Sequence, residues 1–477
     1  MSSRHKLRLA DLSIQEFSKE GHGIGSYAMQ DGRLTEVEVP FSIPGDQVVA
    51  NLLKRRKGIY QSFLEEIKVP SSDRIEPRCI HFGKCGGCRW QQFPYERQLQ
   101  QKEAWIKTYL KPYLHEGVKW NPILPCSPPW QYRNKMELTF SSDKAQNRYL
   151  GLILYGTRGH VFEMQECHLV NPWFVEAVKA VRQWWEESGL DAYHAGRDTG
   201  SLRTLTIREG QRTGDRLIML TVSGNPSFAL QKRHLESFVA VLRQAIEPAD
   251  SSQRLSIFLR IQQIGKGRPT SFYEMLLYGP DHIREIIHLQ LNDQSHALQF
   301  RVSPSAFFQP NTRQAEQLYN CALKMADLSP DSLVYDLYCG TGTLGVCCAK
   351  WAKEVIGIEL NPESVLDARE NIKTNGLSNM TVRSGDVGHS LAALLQEKKQ
   401  RPDIVLVDPP RVGLDPRAIQ HLLELQAPKL IYVSCNPATQ AANLGDLLAG
   451  GYRLKEVQPV DQFPQTVHVE NIIVLTR

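Results

Sequence analysis

Long apolar runs are missing from this sequence. No window reaches the roughly 18 consecutive apolar residues that a membrane-spanning helix needs. The opening Met1-Ser2-Ser3-Arg4-His5-Lys6 also carries charge where a secretory leader would build its apolar stretch. A soluble, cytoplasmic protein is the expectation. There is no internal repeat and no low-complexity tract, which excludes a solenoid and a compositionally biased tail. Charge of one sign is not in large excess: 56 Lys and Arg face 51 Asp and Glu, for a net +5. With 42% apolar and 22% charged residues, the composition is that of a globular protein rather than a disordered one. Ten cysteines in 477 residues, without a secretory leader, argue against a disulfide framework and for metal binding, catalysis or packing.

What is present is unevenly placed. Residues 1 to 120 hold 19 Lys and Arg against 14 Asp and Glu, whereas residues 301 to 477 hold 17 against 19. The excess cation therefore lies in the front quarter, where Lys54-Arg55-Arg56-Lys57 is the densest run. Such a run is either a solvated loop or a patch that neutralises phosphates of an RNA or DNA partner.

Length alone suggests about three domains, and the pattern along the chain divides it into four segments. Residues 1 to 70 alternate short β-type stretches with turn signals such as Asp31-Gly32 and Pro44-Gly45-Asp46, and predict a small β-barrel without helix. The segments Gly21-His22-Gly23-Ile24-Gly25 and Val39-Pro40-Phe41 resemble the TRAM domain, an RNA-binding barrel of the OB type. Residues 71 to 92 form a cysteine-rich knot. A helix is expected over Tyr95 to Tyr113, with Tyr95, Leu99, Ile106, Leu110 and Tyr113 on one face and Pro112 fraying its end. Residues 93 to 300 read as a central α+β domain, with strands around Met136–Phe140, Arg203–Arg208 and Leu217–Val222 and one helix over Pro172–Glu187. From 301 to 477 a regular alternation of strands and helices begins, with strands over Leu333–Leu337, Glu354–Glu359, Met380–Ser384, Ile404–Asp408, Leu430–Ser434 and Ile472–Thr476. That is the pattern of a doubly wound, Rossmann-like parallel sheet.

The first of these strands runs into Tyr338-Cys339-Gly340-Thr341-Gly342-Thr343-Leu344-Gly345, where small residues let backbone approach a ligand. Glu359 ends the second strand, where a carboxylate can accept both hydroxyls of a ribose. Asp386 ends the third, where a carboxylate can accept from an adenine amino group. Three such features in register point to an adenosine-bearing cofactor. The motif D-x-x-C-G-T-G-T-L-G differs from the pyrophosphate-binding G-x-G-x-x-G and resembles the first motif of S-adenosylmethionine-dependent methyltransferases.

The fourth and fifth strands end in Asp408-Pro409-Pro410-Arg411 and Ser434-Cys435-Asn436-Pro437-Ala438-Thr439. An aromatic after DPP would suggest methylation of an exocyclic amine, but Arg411 stands there. Cys435 instead suits carbon chemistry. A pyrimidine C5 becomes nucleophilic once a thiolate has added at C6, and a base must then remove the C5 proton. Glu470, just before the last strand, is the candidate base.

Together FFQPN (Phe307 to Asn311), DLYCGTGTLG (Asp336 to Gly345), DPPR, SCNPAT and HVEN (His468 to Asn471) resemble the RNA uracil-5 methyltransferase family. The resemblance implies that Cys435 is the nucleophile and Glu470 the base. It also implies that Gln309, Tyr338, Gly340, Thr343, Glu359, Asp386 and Asp408 line the S-adenosyl-L-methionine and uracil pocket. Cys339, Cys347 and Cys348 read as small core residues, and Cys126 and Cys321 carry no signal.

Cys79, Cys85 and Cys88 give C-x5-C-x2-C with glycines between the last two. Spacing alone leaves zinc and iron–sulfur open, with Cys167, His81 or His168 as the fourth ligand. The ribosomal-RNA members of the family carry a [4Fe–4S] cluster on such a motif plus one later cysteine, which implies Cys167. The resemblance thus implies 23S rRNA as partner, with no membrane and no obligate protein partner. A tRNA uracil-5 methyltransferase and a non-catalytic, redox-sensing RNA-binding protein are the rival readings.

Overall fold

The computed structural model describes residues 8–29, 32–265, 267, 269–291, 293–397 and 401–477. Met1 to Lys6 and Asp31 of the expected Asp31-Gly32 turn lie outside them. The chain forms two compact units: Met1–Lys102, Ile153–Gly159 and Phe463–His468 make the first, and Glu103–Leu152, His160–Gln462 and Val469–Arg477 the second.

The first unit contains the expected barrel. Strands β1 (Arg8–Phe17), β2 (Gly23–Ala28), β3 (Leu34–Val39), β4 (Gln47–Arg56) and β5 (Ile59–Val69) close in the order β1-β2-β3-β5-β4. Alternation drives closure: Leu9, Leu12, Ile14, Val37, Val39, Val48, Ala50 and Leu52 form the barrel's core, while Asp11, Ser13, Glu36 and Gln47 on the same strands are exposed. Buried Asp46 accepts the N–H groups of Ile43 and Ser71 and pairs with Arg74 at 2.6 Å, so the turn at Pro44 and the exit from β5 share one anchor. The basic run falls on the β4–β5 hairpin. Lys57 (φ 50°) and Gly58 (φ 89°) both have positive φ, as a two-residue primed turn requires, and Lys54 to Lys57 are all exposed.

Helix α1 (Tyr95–Leu110) continues as a 3-10 turn at Lys111–Tyr113, the fraying expected at Pro112. Of its predicted apolar stripe only Ile106 and Leu110 are fully buried. The N-terminal half is held instead by polar side chains: Gln98 Nε2 donates to the carbonyls of Trp90 and Phe93 at 2.8 Å.

In the second unit, β6 (Lys119–Trp120) precedes a mostly antiparallel sheet of β7 (Lys135–Ser142), β8 (Arg148–Ile153), β9 (Val161–Glu163), β10 (Leu202–Glu209), β11 (Arg216–Ser223), β12 (Leu255–Gln263) and β13 (Ser271–Tyr278). Two helices cover it, where one was expected. The first, α2 (Pro172–Ser188), buries Phe174, Val178, Val181 and Trp185. The unexpected one, α3 (Lys232–Ile246), buries only His234, Phe238, Leu242 and Ile246. A single row at four-residue spacing with a histidine in it is too thin a stripe to stand out from the polar residues around it. Strands β14 (Ile283–Leu291) and β15 (Gln294–Val302) form a separate hairpin.

After α4 (Thr312–Ala326) the α/β sheet is built from β16 (Leu333–Leu337), α5 (Thr343–Cys348), β17 (Glu354–Glu359), α6 (Pro362–Thr374), β18 (Met380–Ser384), α7 (Val387–Glu397), β19 (Ile404–Val407), α8 (Pro416–Leu425), β20 (Lys429–Ser434), α9 (Pro437–Ala449), β21 (Arg453–Val460) and β22 (Glu470–Thr476). The order is β18-β17-β16-β19-β20-β22-β21-β6. Strands β16 to β20 are parallel as expected. Two corrections apply at the far end. Strand β22 runs antiparallel to β20, and β21, unseen in the sequence because Arg453, Lys455 and Glu456 interrupt its apolar pattern, lies beside it. The connection from β21 to β22 is too short for a crossover helix, so the pair must be antiparallel. That reversal puts the start of β22 at the same sheet edge as the ends of β16, β19 and β20.

Candidate active site

Doubly wound sheets bind ligands outside the carboxyl ends of their strands, where the strand order reverses. Here the reversal lies between β16, flanked by β17, and β19. All five residues of β16 are buried, and the chain then turns through Tyr338 (φ 63°), Gly340 (φ 56°) and Gly342 (φ 78°) into α5. Glu359, at the end of β17, holds this turn by accepting the N–H of Gly340 at 3.0 Å and of Asn361 at 2.7 Å. Each carboxylate oxygen keeps a further lone pair for a ligand hydroxyl. A Cβ at Gly345 would lie 2.8 Å from Asp336 Oδ2, so only glycine lets α5 approach β16 this closely. Burial pushes the Asp336 carboxyl up to about 8, the Gly345 N–H opposes this, and the charges of Asp408 and Glu359 add to it. Among the described residues its Oδ2 is buried without a hydrogen-bond partner, a polar atom left open at the floor of the turn.

The remaining cofactor candidates are placed differently from one another. Thr343 is buried and its hydroxyl pairs with that of Thr341 at 3.1 Å, inside the turn. Asp386 is exposed and is engaged by the backbone N–H of His389 at 3.2 Å and its Nδ1 at 3.1 Å, bonds that hold its carboxyl below the usual range. Its charge still reaches Tyr338, whose hydroxyl is pushed up to about 12 by burial, Asp415 and Asp386. Gln309 is buried, whereas Phe307 of the same motif is 63% exposed. Cys339, Cys347 and Cys348 are buried core residues, as read from the sequence.

The catalytic candidates meet at the sheet edge. The last rung of the β20–β22 ladder pairs Ser434 with Asn471, which makes Cys435 and Glu470 the residues immediately beyond it. Strand β19 stops at Val407, one residue earlier than expected, so Asp408 leaves the ladder at this edge. Glu470 is buried and Cys435 and Asp408 are half-buried. Burial and the neighbouring Asp408 charge push the Glu470 carboxyl up, and burial does the same to Asp408. The Cys435 thiol is pushed up to about 11 by burial, then by Glu470 and Asp408, while Arg411 pulls it down. Arg411 also favours the ionised form of Glu470.

Arg411 is exposed, so removing it should cost little stability while withdrawing the cation that favours both anions. We expect Arg411→Gln to lower the thiolate fraction of Cys435 at neutral pH about three- to tenfold, one pKa unit being a factor of ten. The rate of Cys435 alkylation by iodoacetamide as a function of pH checks this. The variant's curve should lie to the alkaline side of the wild-type curve.

The comparisons with known proteins fit this geometry. Residues 243–477 match the family model described as tRNA (Uracil-5-)-methyltransferase. An uncharacterized RNA methyltransferase of Protochlamydia amoebophila is 66% identical over 92% of this chain and 100% of its own. Another, from Clostridium tetani, is 33% identical over 98% of this chain and 97% of its own. The chain belongs to the RNA uracil-5 methyltransferase family. A solved structure from Pyrococcus abyssi, a tRNA (uracil-54, C5)-methyltransferase in complex with S-adenosyl-L-homocysteine, superposes over 98% of this chain and 100% of its own. Its TM-score is 0.72 at 23% identity, a likeness of fold. The chain thus carries a methyltransferase α/β domain, with a five-stranded barrel in its N-terminal region.

The cysteine motif behaves otherwise. Cys79, Cys85 and Cys88 fall in the first unit and Cys167 in the second. The donor chemistry suits soft metal ligands: none of the four is in a disulfide, and the Gly87 N–H donates to Cys85 Sγ at 3.3 Å. Among the described residues, however, no group of three or more His, Cys, Asp or Glu side chains is gathered closely enough to hold a metal ion.

Three residues near Gln309 escaped the sequence reading. Asn134, Cys126 and Gln462 all bond the FFQPN segment. They come from distant parts of the chain, and no local spacing signals their meeting.

Proposed function

We propose that this protein transfers a methyl group from S-adenosyl-L-methionine to C5 of a uridine in 23S rRNA. The observation that carries this reading is the placement of Cys435 and Glu470 just beyond one rung of the β20–β22 ladder, with Asp408 beside them. A thiol and two carboxylates with raised proton affinity are the groups that C5 methylation needs. When bound, S-adenosyl-L-methionine supplies an electrophilic methyl group on a sulfonium sulfur. The open Asp336 oxygen and the small-residue turn at Gly340 fit such a ligand, and Glu359 offers acceptors for its ribose.

In this proposal the target uridine leaves its stack to enter the site. The Cys435 thiolate adds to C6, forming an S–C6 bond and moving the C5–C6 electron pair toward C5 and O4. C5 takes the methyl group, and the sulfonium leaves as the neutral thioether. The Glu470 carboxylate removes the C5 proton, the freed pair restores C5=C6, and the thiolate departs. The exposed hairpin Lys54 to Lys57 is suited to RNA phosphates and Cys435 to the base, and the work of such an enzyme lies with the RNA in the cytoplasm.

The choice of 23S rRNA rests on the barrel and on the cysteine spacing. A tRNA substrate is the second reading, favoured by the description of the matching family model. Deleting the gene and measuring 5-methyluridine separately in 23S rRNA and tRNA by nucleoside mass spectrometry decides between them. Loss confined to 23S rRNA is the expected result, loss confined to tRNA moves the substrate, and no loss in either overturns the activity.

The same proposal assigns Cys79, Cys85, Cys88 and Cys167 to a [4Fe–4S] cluster, supported by spacing and resemblance alone. No catalytic step runs through it. Protein purified without oxygen is expected to hold about four iron and four sulfide per chain. Iron-free protein of unchanged thermal stability and full methylation activity would overturn the assignment.

A further inference from the structure

Gln309 is clamped from two directions within the second unit. On its backbone side, Asn134 Nδ2 donates to the Gln309 carbonyl at 2.9 Å and to Thr312 Oγ1 at 3.0 Å, while the Asn134 N–H donates to the Pro310 carbonyl at 2.8 Å. The Thr312 hydroxyl passes the chain on to buried Glu285 at 2.6 Å, whose carboxylate also accepts the N–H groups of Gln211 and Arg212. The segment carrying Gln309 is therefore fixed before any ligand arrives.

On its side-chain side stands Gln462, fully buried. Gln462 Nε2 donates to the Asn311 carbonyl at 3.2 Å and lies 3.4 Å from Gln309 Oε1, while its own carbonyl accepts Asn311 Nδ2 at 3.1 Å. Turning the Gln462 amide over would set its oxygen against the Asn311 carbonyl, a backbone acceptor that cannot turn, so its direction is determined. The cost of that direction is visible: Gln462 Oε1 is buried and has no partner among the described residues. Because Gln462 supplies the donor, Gln309 must supply Oε1 as the acceptor. The other end of the Gln309 amide, Nε2, makes no hydrogen bond to the protein among the described residues.

We infer that Gln462 is a positioning residue that sets the direction of the Gln309 amide, so that Gln309 offers an N–H donor to an acceptor oxygen of the bound ligand. The inference rests on the reading that Gln309 lines the cofactor and uracil pocket. The acceptor is either the carboxylate at the amino-acid end of the methyl donor or a carbonyl of the uracil ring. Presenting the wrong end of an amide replaces a donor–acceptor contact by two facing acceptors, worth on the order of tenfold in affinity or more.

Two substitutions separate the positioning role from a packing role. Gln462→Met keeps the volume and removes the donor, which leaves the Gln309 amide free to turn. Gln462→Glu, measured at a pH high enough to ionise it, presents only acceptors, which draws Gln309 Nε2 inward and its oxygen outward. Each is made in the wild-type chain and in Gln309→Ala, with thermal unfolding as the control for folding. We measure the affinity for S-adenosyl-L-homocysteine by calorimetry without RNA, and KM and kcat with RNA.

The expected result is an affinity loss of about tenfold for Gln462→Glu and less for Gln462→Met, with neither change adding to Gln309→Ala. A loss in S-adenosyl-L-homocysteine affinity identifies the donor's carboxylate as the acceptor. A rise in the KM for RNA with unchanged S-adenosyl-L-homocysteine affinity identifies the uracil carbonyl. Equal effects of the Gln462 substitutions with and without the Gln309 side chain overturn the inference and leave the pocket reading standing. A Gln309→Ala enzyme indistinguishable from wild type overturns the pocket reading of Gln309, and the inference with it.

Discussion

Replacing Cys435 by alanine is expected to abolish methylation, with turnover falling by about 10^4-fold or more, as loss of a nucleophile does in other covalent enzymes. Without sulfur addition at C6, C5 has no electron pair to offer. The site adds two particulars. Burial, Glu470 and Asp408 raise the Cys435 thiol to about 11, so at neutral pH the resting group is protonated and each unit of rising pH increases the thiolate about tenfold. Residual activity in Cys435→Ala from the remaining groups should therefore lose this ascending limb. Cys435 is half-buried and lies beyond the last rung of the ladder, so the substitution should cost no more than about 1 kcal/mol in stability. Calorimetry should find S-adenosyl-L-homocysteine binding intact. Methylation of RNA by Cys435→Ala at a rate near wild type would sink the covalent mechanism.

The parts of the site that were legible in the sequence are those whose chemistry and position are local. Strands β16, β17 and β19 are short, mostly apolar runs, and each predicts both the strand and the residue at or just past its carboxyl end, Tyr338, Glu359 and Asp408. The barrel was legible through period-two alternation and its turns. Strand β21 was not, because Arg453, Lys455 and Glu456 break its apolar pattern, and without it the antiparallel course of β22 had no reason to suggest itself. The consequence reaches the chemistry. Had β22 run parallel to β20, Glu470 would start at the opposite edge from Cys435, and the HVEN motif would have no place in the site. Asn134 and Gln462 were illegible for another reason: amides buried in hydrogen-bonded networks follow no periodicity, and their partners lie far off in sequence.

Glu470→Gln should separate the two halves of the reaction. The amide is close in shape to the carboxylate but cannot accept the C5 proton, so the methylated uridine stays joined to Cys435 through C6. The expected product is a protein–RNA adduct that survives denaturing electrophoresis and carries the transferred methyl group, while multiple turnover falls by about 10^2 to 10^4-fold. The electrostatics give the direction of a further effect. Glu470 and Asp408 together raise the Cys435 thiol, and Arg411 opposes them. A neutral glutamine removes one of the two anions, so the thiol should ionise at lower pH in the variant than in the wild type. Adduct formation in Glu470→Gln should thus be as fast as wild-type sulfur addition at pH 7 or faster, even as product release fails. The wild-type profile carries a second requirement, since Glu470, raised by burial and by Asp408, serves as a base only once ionised. Turnover by the wild type should therefore rise with pH through two groups, and adduct formation by Glu470→Gln through one. A variant that binds RNA and S-adenosyl-L-methionine yet yields no adduct would assign proton removal to another group, and Asp408, the remaining carboxyl at that edge, would be the next to test.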